Sequence, residues 1–314
     1  MLGFLLLLFL LSKISFAELT HTLKNADLVL LVPAYALNLL MLGLMAYRWQ
    51  VLYRISAESE RPGYGQVVSA SFIGVFFNNF LPSTIGGDTY RTLLMSRSFP
   101  KDGLVKSLSV VYIDRLVGFL GMALVGLGAL FFIGDEEVLP TRYMVAVVFI
   151  FLFISISLVL SISSRFQVVV LTFLSKLFRN RGDSILKKLE RLFSYLSMYT
   201  LRRDLLGTAL LLSVLLRLIW FFGCYIVSLS LQLEIPLNAF FIMLPLIELI
   251  RMIPLTFQGI GVREGLFVLF FGYYGVCPSD AILLAVIIYL LLNINGLVGG
   301  VLYLYSKMTQ EASV

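Results

Sequence analysis

Charge, cysteine and histidine are all scarce in this sequence, and each shortage removes a class of function. Only 13% of its 314 residues are charged while 60% are hydrophobic, and the mean hydropathy is +0.97. A soluble domain carries about twice that charged fraction, so a water-surrounded globule is excluded. One histidine, His21, and two cysteines, Cys224 and Cys277, with no CxxC and no HExxH, provide neither a disulfide framework nor a metal ligand set. Both cysteines stand in apolar runs and read as small structural thiols, and His21 reads as part of a short polar loop. There is no GxxxxGK[ST] to bind a nucleotide and no Ser/His/Asp constellation. No cofactor and no metal are expected.

What the chain has in abundance is long apolar runs. Runs of about 20 apolar residues satisfy their backbone hydrogen bonds internally as helices and so suit the interior of a bilayer. Six segments read as full spans: 2–17, 27–47, 107–133, 142–163, 206–231 and 281–305. Nothing separates a soluble unit from them, so residues 1–314 are expected to form one membrane domain. Ser15-Phe16-Ala17 before Glu18 loosely resembles a signal-peptide cleavage site. The lack of a basic stretch ahead of it, and Lys13 near its end, favour a retained first span instead.

The net charge of +6 is a matter of topology, not of nucleic-acid binding. Arg48, Arg54 and Arg61 follow the second span, and Arg91, Arg97, Lys101 and Lys106 precede the third. Nine Lys and Arg residues lie in the 164–205 loop, whereas the turn after the third span is acidic (Asp135, Glu136, Glu137). The positive-inside rule places the basic loops in the cytoplasm, and both termini of this cell (inner) membrane protein with them. Within 164–205, Ile185, Leu186, Leu189, Leu192, Phe193 and Leu196 share one helical face opposite Lys187, Lys188 and Arg191, the pattern of a surface helix.

That orientation makes two segments anomalous. The stretch at about 66–105 leaves a basic loop and returns to one, so it cannot cross. The stretch at about 239–276 contains apolar pieces of about 12 residues, too short for a core of about 30 Å at 1.5 Å per residue. Each is expected to be a re-entrant helical hairpin, the first entering from the cytoplasm and the second from outside. The expected architecture is an all-α polytopic membrane protein with about six full spans and two broken hairpins.

The hairpin tips share the pattern P-x-T-x-x-G-x-x-x-R. Pro82 corresponds to Pro254, Thr84 to Thr256, Gly87 to Gly259 and Arg91 to Arg263, which suggests an inverted repeat. Proline breaks a helix, glycine permits unusual turns, and a fresh helix start exposes N–H groups that attract anions. Interrupted segments in corresponding halves are a pointer to a transporter's central site. The expected substrate-binding residues are Asn79, Pro82, Thr84, Gly86, Gly87, Asp88 and Arg91 at the first tip. At the second they are Glu248, Arg251, Pro254, Thr256, Gly259, Gly261, Arg263 and Glu264. Glu248 and Arg251, one turn apart, can pair. Asp114, Arg115 and Arg217 also carry charge within apolar stretches, each costing about 2.5–3.5 kcal/mol at mid-bilayer, and read as structural or coupling residues. Tight turns and a simple cytoplasmic anchor at Arg91 are the alternative reading of the motifs.

At these residues the sequence resembles a known family. Tyr47-Arg48-Trp49, Asn79-Phe80-Leu81-Pro82, Gly86-Gly87-Asp88 with Arg91, Asp114-Arg115, Ile253-Pro254 and Gly259-Ile260-Gly261-Val262-Arg263-Glu264-Gly265 resemble the flippase-like transmembrane domain of lysylphosphatidylglycerol synthases, over nearly the whole chain. The resemblance implies movement of a phospholipid, or of a lipid-linked anionic headgroup such as a polyprenyl-phosphate conjugate, between leaflets. The soluble aminoacyl-transferase domain of the full-length synthases has no counterpart here, so synthesis of lysylphosphatidylglycerol is not expected. The partners expected are therefore membrane lipids, with no nucleic acid. Gly118, Gly121, Gly126 and Gly128 in one span, and Gly296, Gly299 and Gly300 in another, permit close helix packing within a subunit or in a homo-oligomer. Two rival readings are a non-transporting lipid-binding regulatory or assembly subunit, and a lipid-modifying enzyme using Asp88 or Glu264. Passive movement and ion coupling are both compatible with these residues.

Overall fold

A computed structural model describes residues 16–56, 62–80, 85–97, 99, 101–130, 141–177, 183–251 and 259–311. Every regular element among them is helical. The helices are α1 (Phe16–Asn25), α2 (Leu31–Ser56), α3 (Tyr64–Phe80), α4 (Ile85–Ser96), α5 (Gly103–Ala129), α6 (Thr141–Ser161) and α7 (Ser164–Leu177). They continue as α8 (Asp183–Leu201), α9 (Arg203–Ser230), α10 (Leu237–Arg251), α11 (Val262–Gly272), α12 (Pro278–Asn293) and α13 (Asn295–Glu311). Among the described residues four stretches are long and apolar enough to cross a membrane: Leu28–Arg54, Gly103–Ala129, Arg203–Ser230 and Pro278–Met308. Val148–Ser161 with Ser164–Phe173, bent by 79°, would be a fifth. Residues 2–15 of the expected first span lie outside the described residues.

Three local expectations change. Arg48 was expected in a loop, but α2 runs on to Ser56 and buries it. His21 lies in α1 rather than in a polar loop, beside Asn25. Cys277 is exposed at the start of α12 and donates to Asp280 at 2.9 Å. The last apolar run is two helices with a break at Ile294. Asn293-Ile294-Asn295-Gly296 puts polar side chains and a glycine at that point, and the freed groups find side-chain partners, as a buried helix break requires. Asn38 donates to the Leu291 carbonyl at 2.7 Å and Asn79 to the Asn293 carbonyl at 3.3 Å.

Glycine governs the closest approaches. A Cβ on Gly299 would overlap the Phe72 carbonyl, and one on Gly300 would stand 2.9 Å from the Phe76 ring, so α13 lies directly on α3. Gly121 meets the Ser213 backbone, bringing α5 onto α9. Without a hydrophobic driving force between helices in lipid, such contacts carry the packing. Two apolar cores result. One, at α5, α9, α10, α11 and α12, includes Phe221, Phe240 and Phe271; the other, at α2, α5 and α8, includes Trp49, Leu52 and Tyr199.

The loops sort to two ends of the bundle. At one end Gln50 bonds the Pro62 carbonyl, Tyr53 packs on Phe99 at 5.6 Å, and Arg191 pairs with Asp102 at 2.7 Å. At the other, Thr22 bonds Asp280 at 2.7 Å, the Asp27 N–H bonds the Ser230 carbonyl, and Gln232 bonds the Asn25 carbonyl. The α3–α4 unit leaves and rejoins the first end. The α10–α11 unit starts and finishes at the second, where Phe240 meets Phe271 at 5.0 Å. In α8, Leu196 and Tyr199 are buried while Lys187, Lys188 and Arg191 are exposed.

Candidate functional site

The α3–α4 unit is built around a backbone contact. A Cβ on Gly87 would overlap the Gly74 carbonyl, and the space beside Gly74 is taken by the Arg91 side chain, its Nε 3.1 Å from where a Cβ would stand. The Asn78 side chain accepts the Gly87 N–H at 2.7 Å, capping the first turn of α4. Arg91 is buried between its own helix and α2: Nη2 meets Asp88 at 2.6 Å and the guanidinium lies 4.6 Å over the Trp49 ring. Asp88 also holds Arg115, whose Nε donates at 2.9 Å. One carboxylate therefore serves two arginines.

Asp114 and Arg115 do not pair with each other. Adjacent residues project about 100° apart on a helix, and Asp114 turns instead to Arg48, with 2.9 Å between Nε and Oδ1. Arg48 Nη1 also donates to Ser213 at 2.7 Å. The pair is buried and links α2, α5 and α9.

The second tip uses a different local geometry. Gly259 and Gly261 have φ of +74° and +82°, a region that favours glycine. Glu264 folds back to accept the Gly261 N–H at 2.6 Å and also binds Arg263. Arg263 and Glu264 are 4% and 1% exposed, so the pair is sealed from solvent. Arg263 stacks 4.1 Å over the Tyr289 ring. Arg251 pairs with Glu248 at 2.6 Å and lies against Gly259. The matched motif positions thus differ in conformation: Gly87 is inside α4, whereas Gly259 turns outside α11. Pro82, Thr84, Pro254 and Thr256 lie outside the described residues.

Among the described residues, Arg91 Nη1, Arg251 Nε and Arg263 Nε are buried without a protein acceptor. A buried donor left unmatched costs about 1–3 kcal/mol, so these are groups an anionic oxygen would satisfy. The two tips also approach one helix. Asn79 donates to the Asn293 carbonyl at 3.3 Å, one turn beyond Tyr289, which stacks on Arg263. Glu248 and the Arg48–Asp114 and Arg115 groups are in turn the charged neighbours of Arg217. The charges form a continuous band through an otherwise apolar bundle.

Sequence reasoning missed Arg48, Trp49, Asn78 and Tyr289 as members of this band. Arg48 and Trp49 carried a signal in the Tyr47-Arg48-Trp49 run of the family resemblance, whereas Tyr289 is one aromatic among many.

A multi-helix membrane protein with buried, mostly paired arginines at two broken helical units is the class these observations define. The chain belongs to the family described as the lysylphosphatidylglycerol synthase TM region, whose profile matches residues 1–299. It is similar to a UPF0104 membrane protein of Methanothermobacter thermautotrophicus, 22% identical over 274 residues, covering 83% of this chain and 80% of the relative.

Proposed function

We propose that the protein is a lipid translocase, flippase- or scramblase-like, that carries an anionic lipid headgroup between leaflets. The observation that carries the reading is the band of buried arginines with unmatched N–H donors inside an apolar bundle. Charge-assisted bonds to phosphate oxygens replace part of the hydration lost by a headgroup that enters the membrane. The α3–α4 and α10–α11 units are re-entrant hairpins that enter from the cytoplasm and from outside respectively, as an inverted pair within six spans. Basic loops set the orientation, with both termini cytoplasmic in the cell membrane. Asp88, Glu248 and Glu264 hold Arg91, Arg251 and Arg263 while the site is empty, and phosphate competes with them.

That same internal pairing favours a second reading, a lipid-binding regulatory or assembly subunit in which the pairs are purely structural. Purified protein in liposomes carrying leaflet-specific lipid probes separates the two. Translocation requires that at least one headgroup class cross faster than in empty vesicles. Crossing at the empty-vesicle rate for every class, with normal binding, leaves the regulatory reading.

A further inference from the structure

Helices α5, α9 and α10 touch closely at two points and stand apart beyond them. A Cβ on Gly121 would stand 2.8 Å from the Ser213 backbone, where α5 meets α9. One on Gly126 would stand 3.2 Å from the Pro245 ring, where α5 meets α10. Gly128, further along α5, meets nothing within 4 Å. Between the three helices lies a cleft of about 580 Å³, within the size range of small-molecule sites. Val125 and Gly128 of α5, Val214 of α9 and Phe241 of α10 help to line it. Leu124, Leu218 and Leu237 line it too and are 51%, 39% and 38% exposed, so the cleft reaches the surface of the bundle. Among the described residues no charged side chain lines it, which sets it apart from the arginine band.

The cleft has one polar end. Asn238, the second residue of α10, is the polar member of the lining, and its Oδ1 is buried with no donor in reach among the described residues. One turn further on, the Phe241 carbonyl lacks its usual helical donor, because the residue four positions later is Pro245, which has no N–H. Two acceptors in want of a donor therefore stand on one face of α10, and a buried acceptor left unmatched is costly. Both lie near the start of α10, at the end of the bundle where Gln232 bonds the Asn25 carbonyl. Val214 and Leu218 lie in the middle of the Arg203–Ser230 span. The cleft thus has acceptors toward a membrane surface and apolar walls toward the membrane centre, which is the polarity of a lipid within one leaflet.

We propose that the α5–α9–α10 cleft holds the acyl chain of an uncharged, hydroxyl-bearing glycerolipid, whose hydroxyl donates at Asn238 and the Phe241 carbonyl. Spanning helices are surrounded by acyl chains, so a chain is the apolar body at hand. A lipid anion finds no cation in this lining, and a plain hydrocarbon leaves both acceptors unmet. The site is separate from the arginine band and stands whether or not the protein moves an anionic headgroup.

The test uses the purified full chain in a sterol-based detergent, which has no alkyl chain of its own. Tm is followed against concentration for monodecanoylglycerol, methyl decanoate and decanoate, which share a chain and differ at the polar end. Monodecanoylglycerol is expected to bind the wild type about three- to tenfold more tightly than methyl decanoate, the range of one neutral hydrogen bond, and more tightly than decanoate. Gly128→Leu places a side chain in the cleft and should abolish stabilisation by every probe. Its ligand-free Tm should be no lower than that of the wild type, because a Cβ there meets nothing within 4 Å. Asn238→Ala should remove most of the preference for monodecanoylglycerol while methyl decanoate binds as before. Wild-type affinity in Gly128→Leu overturns the cleft as the site, and a preference unchanged in Asn238→Ala overturns its polar end. Equal binding of methyl decanoate, or tighter binding of decanoate, by the wild type overturns the hydroxyl-bearing lipid. A wild type that no probe stabilises overturns the site outright. Lipid crossing in liposomes tests the translocase reading separately.

Discussion

The guanidinium of Arg263 lies 4.1 Å over the ring of Tyr289, and one helical turn further along α12 the Asn293 carbonyl accepts the side chain of Asn79. Residues from two distant broken units thus rest on one helix just before its own break at Ile294.

Arg263 and Glu264 should act as a unit. Removing Arg263 alone leaves a buried carboxylate, and Arg263→Ala is expected to cost about 3–5 kcal/mol of stability. The double variant Arg263→Gln/Glu264→Gln carries no net charge, and the amide oxygen at 264 can still accept the Gly261 N–H. It should melt close to wild type yet lose accelerated lipid crossing in liposomes. Wild-type crossing by a folded double variant removes Arg263 from the transport site.

The Arg48–Asp114 pair has the same non-additivity with a different outcome. Either Arg48→Met or Asp114→Leu strands a buried charge and should destabilise by about 3–5 kcal/mol, whereas the double variant should recover most of that loss. A double-mutant cycle by thermal unfolding in detergent measures the coupling. Additive losses would show that the two side chains do not depend on each other.

Two glycines give opposite predictions. Gly299→Val drives a side chain into the Phe72 carbonyl and should part α13 from α3, at about 1–3 kcal/mol or more. Gly128→Ala meets open space and should be neutral or stabilising by up to about 1 kcal/mol. Paired Tm measurements check both, and a harmless Gly299→Val would refute the close α3–α13 contact.

Cys277 is exposed and Cys224 is buried, so the native chain carries one solvent-accessible thiol for topology mapping. A membrane-impermeant maleimide is expected to label Cys277 from outside intact cells. In a Cys277→Ser background, Ser194→Cys on exposed α8 should react only after the membrane is opened. Labelling of both from one side would overturn the two-ended arrangement of the loops.

Several features were legible in the chain itself. Apolar runs announce helices because each buried backbone group needs an internal partner, and that demand is local. The Glu248–Arg251 contact was readable because one helical turn sets its spacing. The break at Ile294 could have been read from two asparagines and a glycine inside an apolar run. Asp114 and Arg115 were noticed but not their partners: Arg48 and Asp88 stand 66 and 27 positions away along the chain. The tip motif matched in letters, yet Gly87 became helical and Gly259 took a positive φ, because packing against Gly74 and Arg251 decides each turn.

By itself, then, the sequence determined that this is a helical membrane protein with two interrupted units and charges it cannot leave bare in lipid. Only the tertiary structure decided which charges neutralise one another and that Arg217 forms no ion pair among the described residues. Hydropathy and helical spacing act over a few residues, whereas an ion pair or a cleft exists only once distant helices are packed side by side.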